Sequence, residues 1–560
     1  MPAKYHNKTT TPRMNENENP VVRLDGKTLT LEALIDIAEK GRKVEFPVHV
    51  KEHIKACRQL LEDQIQNRPD IAIYGTNRLH GDLKDLEISP DIIDQYQEKY
   101  AAVHNCGTGK PLPVKTARAI MAIRLNSFAK GMSGIRLETC ELMLDMLNTG
   151  VTPWILEEGS VGASGDLVPL GMMLATMIQM RGARAYYKGK LMSARKAFKK
   201  SGLSEKYAGY TLKAKEAMGI TNGSNFIAAV ALFAWRDAMT ILKTASIAAA
   251  LSVEAVRGEK KAFSTIINEK SHRHRGQIVI ARQMRALLKG SKRTTPEAQK
   301  HPFTGTRPGN ERVQDRYSFR AVPQVHGAAW EALQKLADTL ETEINSVTDN
   351  PLFDFRHTDK NTGGILFASG ANFHGQALAT VIDYAKIAMT SVGLMSDKRA
   401  FSMLDHRLSY GLPPDLAYDT SSGDGGLMIT QYAGAARAAE NRILSTPASV
   451  MSLSTAANQE DFVSMGSLGA VHFTKIIRNL QIILGVELLC ATRALQMTYD
   501  KLPKRLRKLG AGTQKALDFL SQQEQLDTGE AVWRDHYLRK DMKRATRIVK
   551  SGALVSAVMN

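Results

Sequence analysis

Residues 226–256 read FIAAVALFAWRDAMTILKTASIAAALSVEAV, and this segment indicates the architecture of the chain. It is rich in Ala, Leu, Ile and Met, which are mostly good helix formers. Its apolar positions run almost without a break, which predicts a helix buried on most sides, as in the middle of a bundle. Arg236, Asp237, Lys243 and Glu254 interrupt the run, so we expect a core helix rather than a transmembrane span.

Four further segments downstream have the same composition. They are residues 330–347, 375–394, 425–444 and 467–497. Only 6% of all residues are aromatic, which suits close packing through small side chains. Upstream of residue 225, shorter helical patterns alternate with Gly and Pro, and apolar runs such as IAIYG (71–75) fit either a strand or a turn. The sequence therefore predicts a mainly α-helical protein with a long central helix bundle and a smaller mixed N-terminal region.

Shifts in composition divide the chain into four predicted parts. These are a disordered tail (1–20), an N-terminal region (21–225), the central long-helix bundle (226–500) and a basic C-terminal helical extension (501–560). Two segments inside the bundle region differ from their surroundings. Residues 268–313 are basic and interrupted by Pro and Gly, which predicts a surface loop with one helix. Residues 349–364 predict a further loop.

The charge of the chain is strongly positive. Its 560 residues include 75 Lys and Arg against 56 Asp and Glu, a net charge of +19. Two basic clusters, residues 501–508 and 539–550, lie near the C-terminus. Aromatic residues do not interleave with them, and no helix-turn-helix, RNP or zinc-finger motif accompanies them. We therefore predict a solvated basic surface rather than a nucleic-acid interface.

The N-terminus, the cysteines and two short motifs bear on compartment and cofactors. The polar N-terminus lacks the apolar core of a signal peptide, and the four cysteines form no C-x-x-C pair, so we expect a cytoplasmic protein without a membrane anchor. CGTGK (106–110) is not a nucleotide-binding loop, because its first glycine is replaced by His104 and Pro111 follows the lysine. His272 and His274 lie in SHRHR (271–275) beside several cations and without a Cys or carboxylate, so we expect neither metal nor nucleotide.

The most informative short motif is GSVGASGDL, residues 159–167. One interpretation is a glycine-rich turn before a helix that starts near Leu167, with Asp166 as its N-cap. The other is chemical. In an Ala-Ser-Gly triplet the amide nitrogen of Gly165 can attack the carbonyl of Ala163, and loss of two waters leaves an electrophilic methylidene-imidazolone, abbreviated MIO. Such a ring closure needs tight curvature and no bulky neighbours, which glycines provide.

GSVGASGDLVPL (159–170) resembles the prosthetic-group loop of the histidine, phenylalanine and tyrosine ammonia-lyases and their aminomutase relatives. Further segments resemble that family in the same order along the chain. They are YG (74–75), TNGSN (221–225), QDRYSFR (314–320), EINSVTDNPL (343–352), SGANFHG (369–375) and ANQEDFVSMG (457–466). One such match would be weak, but several in order over some 400 residues are specific.

The resemblance implies a mainly α-helical homotetramer whose active sites each draw on three subunits. It implies an amino acid substrate and an MIO group formed from Ala163, Ser164 and Gly165, with no metal or nucleotide. The other matched residues take the following implied roles: Tyr74 is the catalytic base on a mobile loop, Asn222 contacts the MIO group and the substrate amine, Gln314 and Tyr317 line the MIO pocket, Arg320 binds the substrate carboxylate, and Phe373 is a pocket-wall aromatic. A guanidinium suits a carboxylate because its planar fork meets both oxygens.

Two positions bear on the substrate. His104 matches by spacing the histidine that histidine ammonia-lyases use near the imidazole, although tyrosine-selective members can also carry His there. Glu460 matches the histidine-lyase glutamate, where phenylalanine-type members usually have Gln. A carboxylate can hold an imidazole N–H or take part in proton transfer. Both positions favour L-histidine as substrate and urocanate plus ammonia as products.

One segment departs from the family pattern. Most members continue the Tyr74 loop as T-G-F-G, whereas this chain reads Arg78-Leu79-His80-Gly81. The change adds polarity where the loop meets the substrate, so the choice of amino acid stays open. A 2,3-aminomutase, which returns the amine to the β-carbon, is one alternative. A non-catalytic tetrameric binding protein, whose Ala-Ser-Gly loop stays uncyclised, is the other.

Overall fold

The structure is a computed structural model, and it describes residues 21–301, 303, 313–360, 363–523 and 534–559. The predicted disordered tail (1–20) lies outside the described residues. The protein is mainly α-helical with few strands, as the sequence predicts. The predicted limits of the four parts stay a prediction.

The N-terminal part combines short helices with small β-ladders. Its helices are α1 (Leu31–Ile35), α2 (Val48–Asn67), α3 (Ile93–Val103), α4 (Val114–Phe128), α5 (Leu137–Thr149), α6 (Leu167–Met177), α7 (Ala194–Ser201), α8 (Leu203–Lys206) and α9 (Glu216–Thr221). Its strands are β1 (Val22–Arg23), β2 (Val44–Glu45), β3 (Thr108–Pro111), β4 (Thr152–Pro153), β5 (Leu156–Glu158), β6 (Arg184–Tyr187) and β7 (Lys190–Ser193). β1 pairs with β2 in parallel, β3 with β5 antiparallel, and β4, β6 and β7 form an antiparallel sheet. The run IAIYG (71–75) is a turn, not a strand.

Five long helices form the central bundle, as predicted. The elements of this part are α10 (Asn225–Ala255), α11 (Arg275–Leu287), α12 (Pro296–Gln299), α13 (Tyr317–Arg320), α14 (Val322–Ile344), β8 (Leu352–Thr358), β9 (Ile365–Ala368), α15 (Gln376–Leu404), α16 (Met428–Leu444) and α17 (Gly466–Met497). In α10, 25 of 31 residues are buried, which confirms a helix enclosed on most sides. A buried ion pair between Arg399 and Glu487, with Ser252 donating to the same carboxylate at 2.7 Å, joins α15, α17 and α10.

The prediction of a loop at residues 349–364 is wrong. Residues 352–358 form β8, which pairs antiparallel with β9. Phe353 of β8 and Ile365 of β9 are buried against α2, because the two strands direct their apolar side chains to the same face. The turn-forming residues after Thr358 obscured the strand alternation in the sequence.

Three helical stretches are long and apolar enough to cross a membrane by length and composition: Glu216–Ala255, Gln376–Leu404 and Gly466–Met497. Their most apolar windows are 100%, 61% and 78% buried inside the protein, respectively. Packing in the bundle core accounts for this composition, in line with the core helix expected from the sequence.

The C-terminal extension packs on the bundle. Its helices are α18 (Ala511–Gln523), α19 (Arg539–Ser551) and α20 (Ala553–Met559). α19 buries Ala545, Ile548 and Val549 against the bundle, so the basic cluster at 539–550 is the outer face of an amphipathic helix.

Candidate active site

The segment GSVGASGD, residues 159–166, forms a sharply bent loop between β5 and α6. Ser164 and Gly165 both have positive φ, 53° and 83°. Such a φ is uncommon for serine, so the surrounding structure holds the backbone in this shape. A side chain at Gly165 would place its Cβ 2.2 Å from the backbone nitrogen of Gly223. Conformation and space therefore both require glycine at this position.

The carboxylate of Asp166 fastens this loop to the bundle. Asp166 directly precedes α6, as predicted, but its side chain makes no capping bond to that helix. It accepts hydrogen bonds from the backbone N–H groups of Phe226 and Ile227, both at 3.0 Å, and from the hydroxyl of Ser160 at 2.7 Å. The prediction that Asp166 caps α6 with its side chain is therefore wrong, because that side chain caps α10 instead. Burial raises the pKa of Asp166 to about 7, and the three donors act in the opposite direction.

Two more bundle helices begin beside the loop. The N–H of Gly375, directly before α15, donates to the carbonyl of Gly162 at 3.0 Å. The hydroxyl of Ser464, close to the start of α17, donates to the same carbonyl at 2.5 Å. The N-termini of α10, α15 and α17 thus meet at one loop. Because helix N-termini carry partial positive charge, the loop lies in a field that suits an electron-accepting group.

Ser164 is held from two sides. The side-chain amide of Asn222 donates to its carbonyl oxygen at 2.6 Å. Its hydroxyl donates to the carboxylate of Glu460, whose second oxygen accepts from the hydroxyl of Thr455 at 2.7 Å. The amide oxygen of Asn222 is buried and has no hydrogen-bond partner among the described residues. An unpartnered buried acceptor beside Ser164 is suited to an N–H group of a ligand.

A cavity of about 540 Å³ opens over Ser164. Six predicted site residues line it: Tyr74, Ala163, Ser164, Asn222, Phe373 and Glu460. Five charged or titratable lining residues were not predicted: Lys84, Asp85, His374 and Asp461, together with Arg78, for which the sequence indicated no role. A cavity of this size and mixed charge suits a small zwitterion such as an amino acid.

The position of Tyr74 is set by the residue before it. Ile73 is fully buried in a cluster with Cys57, Leu61, Phe353 and Ile365. This packing directs Tyr74 to the cavity, where its hydroxyl accepts a hydrogen bond from the N–H of Gly81 at 3.0 Å. Burial raises the pKa of Tyr74, the N–H of Gly81 lowers it, and the charge of Glu460 raises it further.

His104, unlike Tyr74 and Glu460, is not among the residues that line the cavity. Its ring stacks on that of Tyr100, with centroids 3.9 Å apart and planes 16° from parallel. Nδ1 lies 2.8 Å from the carbonyl oxygen of Tyr100, so this nitrogen carries the proton. Burial lowers the pKa of His104. A neutral ring in this tautomer leaves Nε2 as a hydrogen-bond acceptor.

Gln314, Tyr317 and Arg320 are not brought to this cavity. Tyr317 is 73% exposed, and the guanidinium of Arg320 lies 4.7 Å from its ring centre. The length of α15 gives the distance between these residues and the cavity. At one end of the helix, Gly375 contacts the Ala-Ser-Gly loop, and near the other end Arg399 donates to the carbonyl of Ser318 at 3.0 Å. The 24 residues from 375 to 399 span about 36 Å at the helical rise of about 1.5 Å per residue. One chain therefore presents two separate halves of the predicted site.

Sequence reasoning missed the residues that hold the site in place. Thr455 orients Glu460, and Asp166 connects the loop to α10. Asp166 and Phe226 lie 60 positions apart, so sequence spacing contains no signal for that contact, whereas Thr455 lies only five positions before Glu460. The sequence indicates the polarity of Arg78 and His80 but gives no sign of the contact of His80 with Tyr96 on α3. Among the described residues, no group of three or more His, Cys, Asp or Glu is placed to hold a metal ion.

Comparison with protein families gives one match across the chain. The family model described as aromatic amino acid lyase matches residues 29–522. Two similar curated proteins are histidine ammonia-lyase 2 of Fusobacterium nucleatum, 38% identical over 541 residues, and histidine ammonia-lyase of Streptococcus sanguinis, 37% identical over 541 residues. Each comparison covers 96% of this chain and 98% of the relative.

Solved structures show the same fold. A tyrosine aminomutase from Streptomyces globisporus is 29% identical with a TM-score of 0.84, covering 96% of this chain and 98% of that one. A histidine ammonia-lyase from Trypanosoma cruzi is 30% identical with a TM-score of 0.81, covering 96% of this chain and 95% of that one. Both similarities extend over nearly the whole chain.

Proposed function

Because this chain belongs to the aromatic amino acid lyase family, we propose that it eliminates ammonia from L-histidine and forms urocanate. It is a carbon–nitrogen lyase of the ammonia-lyase type, and the choice of histidine is the proposal. The observation that carries it is the arrangement of Tyr74, Ser164, Asn222 and Glu460 around one cavity. Both curated relatives named above are histidine ammonia-lyases.

The family is the MIO-dependent group, and we propose that Ala163, Ser164 and Gly165 form the group here. The residues fit it: the loop is bent at Ser164 and Gly165, and Asn222 holds the Ser164 carbonyl. When formed, the group supplies an electrophile for the substrate amine, which no standard side chain offers.

Tyr74 is the proposed base that removes the β-proton. Burial and the charge of Glu460 both oppose ionisation of this phenol. The N–H of Gly81 acts in the other direction, because it stabilises the phenolate that serves as the base. The free amide oxygen of Asn222 is placed to accept an N–H of the substrate amine. These groups orient the substrate and move one proton.

Glu460 is the proposed contact for the imidazole. Its carboxylate faces the cavity and is oriented by Thr455. A carboxylate accepts a hydrogen bond from an imidazole N–H, whereas a phenyl ring has no N–H to donate. His104, whose Nε2 is left as an acceptor by the Nδ1 bond to Tyr100, supports the same preference. The polar residues Arg78, Lys84 and Asp85 also suit imidazole better than phenyl.

We further propose a homotetramer in which a neighbouring chain supplies Gln314, Tyr317 and Arg320 to each cavity. The distance of about 36 Å along α15, which separates these residues from the cavity of their own chain, supports this arrangement. Exposed apolar side chains at helical spacing support self-association: Tyr384 and Ile387 on α15, Ile429 and Tyr432 on α16. Arg320 in this arrangement binds the substrate carboxylate. We place the protein in the cytoplasm, since all four cysteines are free thiols.

A 2,3-aminomutase is the second candidate, because the similar solved structures include tyrosine aminomutase. The decisive experiment incubates the purified protein with L-histidine, L-tyrosine and L-phenylalanine separately and identifies the products. Ammonia with the ultraviolet spectrum of urocanate from histidine supports the proposal. A β-amino acid without net ammonia supports the aminomutase. An intact mass without the loss of two waters supports a non-catalytic binding protein instead.

A further inference from the structure

The loop that follows Tyr74, residues 77–88, closes on itself before it meets the rest of the protein. The N–H of Leu79 donates to the carbonyl of Leu86, and that of Ile88 to the carbonyl of Asn77, both at 3.0 Å. Arg78 pairs with Glu87 across the same loop at 3.8 Å. These bonds hold the loop together as one unit. The position of Gly81, which belongs to the loop, therefore depends on the contacts between the loop and the rest of the protein.

His80 is the polar side chain by which this loop contacts α3. Its Nδ1 shares a hydrogen bond with the hydroxyl of Tyr96. Its ring stands edge-on to Tyr100, with centroids 4.6 Å apart, and lies 5.3 Å from the ring of His104. Burial, followed by the nearby His104, lowers the pKa of His80 to about 4. The ring is therefore neutral near pH 7, and the bond to Tyr96 does not depend on a charge.

The next residue makes the bond on which Tyr74 depends. Gly81 donates its N–H to the Tyr74 hydroxyl at 3.0 Å, and that N–H belongs to the peptide unit that begins at the carbonyl carbon of His80. Gly81 has a φ of 61°, a conformation that glycine enters and leaves easily. A rigid His80 is thus needed to keep the direction of this N–H.

We propose that His80 is a positioning residue for the elimination: through its bond to Tyr96 it fixes the His80–Gly81 peptide and holds the N–H of Gly81 on the Tyr74 hydroxyl. The inference rests on the proposed role of Tyr74 as base and adds the pair that keeps this base ready. It also gives a role to the segment Arg78-Leu79-His80-Gly81, which replaces the usual T-G-F-G of the family. The phenylalanine that most members carry at position 80 could not form a hydrogen bond to Tyr96.

The consequence can be read in the ionisation of Tyr74. Loss of an N–H donor from a phenolate raises the pKa of the phenol, so the base then needs a higher pH. Other titratable groups face this region, and each variant leaves all of them in place except the one that it replaces. They are Tyr96, Tyr100 and His104 on the α3 side, Arg78 and Glu87 in the loop, and Lys84, Asp85, His374, Glu460 and Asp461 around the cavity.

The test places 3-fluorotyrosine at position 74 of the full-length protein and follows its fluorine resonance with pH. Tyr96→Phe and His80→Ala each remove the bond between the two residues. In both, we expect the pKa of residue 74 to rise by about one unit, a tenfold change in ionisation. The double variant should show the same rise as either single one, because both act through one contact. Tyr100→Phe is the matched control, since its hydroxyl bonds Thr221 and not His80.

A pKa of residue 74 that is the same in the unsubstituted protein, Tyr96→Phe and His80→Ala would overturn the inference. So would an equal rise in Tyr100→Phe, which would indicate a general loosening of α3. This readout needs no substrate, so it stays separate from the proposed function. Ammonia release from histidine by the unsubstituted protein tests that function. If the enzyme is active, the acidic limb of the pH profile of kcat should move to higher pH in Tyr96→Phe, with little change in KM.

Discussion

The hydroxyl of Ser164 donates a hydrogen bond to the carboxylate of Glu460, although 296 positions separate the two residues in the chain. The contact joins the loop for which we propose the chemical modification to the residue for which we propose the imidazole contact. It exists because α10, α15 and α17 all begin beside the Ala-Ser-Gly loop, which brings the segments before these helices to one place.

Modification of the loop should depend on the space around Gly165. Gly165→Ala would place a methyl group 2.2 Å from the nitrogen of Gly223 and force the loop to shift. We expect this variant to keep its full intact mass, whereas the unsubstituted protein should be lighter by about 36 Da, the mass of two waters. Gly150→Ala is the matched control, since Gly150 also has a positive φ (86°) but no atom within 4 Å of an added Cβ. Equal mass loss in both variants would refute the steric argument.

Tyr74→Phe should reduce kcat by about 10²–10⁴-fold, the usual contribution of a general acid or base. KM should change little, because the hydroxyl bonds Gly81 and no predicted substrate group. Steady-state rates of urocanate formation measure both quantities. A turnover number close to that of the unsubstituted protein would remove Tyr74 from the reaction.

The preference for histidine should depend on Glu460 and, to a lesser degree, on His104. Glu460→Gln keeps one of the two oxygens that accept from Ser164 and Thr455, and it removes the charge that suits an imidazole N–H. We expect kcat/KM for histidine to fall about tenfold to a hundredfold, with no comparable loss for phenylalanine. His104→Leu should change the same ratio in the same direction. Competing substrates in one assay give the ratio directly, and an unchanged ratio in both variants would contradict the assignment.

Sharing of the active site between chains should show as complementation. Ser164→Ala and Arg320→Ala should each be inactive alone, and co-expression of the two chains should restore part of the activity, because some cavities then combine an intact loop with an intact arginine. Ser164→Ala with Asn222→Ala is the matched control. Both of these residues line the cavity of one chain, so this pair should not complement. Activity restored equally in both mixtures, or in neither, would argue against the shared site.

The buried carboxyl of Asp166 should make stability depend on pH. Burial raises its pKa from the usual 3.8 to about 7, so the folded protein binds a proton that the unfolded chain releases between these values. Its contribution is complete below about pH 4 and is lost as the pH rises to about 7, at up to about 1.4 kcal/mol per pH unit. Asp166→Asn should flatten this part of the profile. Thermal unfolding of both proteins from pH 5 to pH 8 tests it, and parallel profiles would contradict the expected titration.

The sequence predicted the bundle and six of the residues that line the cavity because both have local signals. The five long helices follow from continuous apolar composition, and the loop at 159–166 follows from its glycines and its Ala-Ser-Gly triplet. β8 was missed because the turn residues after Thr358 outweigh its short alternation. That strand shapes the cavity, since Phe353 packs in one buried cluster with Ile73, the residue before Tyr74.

Other parts of the site have no local signal. Asp166 was expected to cap the helix that follows it, yet its carboxylate caps α10, which only the packing of distant segments decides. The distance between the Tyr317 segment and the cavity depends in the same way on the length of α15. The sequence could therefore predict which residues belong to the site, but not which hydrogen-bond partner each side chain has in the folded protein.

The most direct test of the account measures product from L-histidine with protein whose intact mass has first been determined. We predict a mass lower by about two waters, and one ammonia and one urocanate formed for each histidine consumed. Protein that carries this mass loss but releases no ammonia from histidine would contradict the proposed reaction, and protein that releases ammonia at its full, unmodified mass would contradict the proposed role of Ser164.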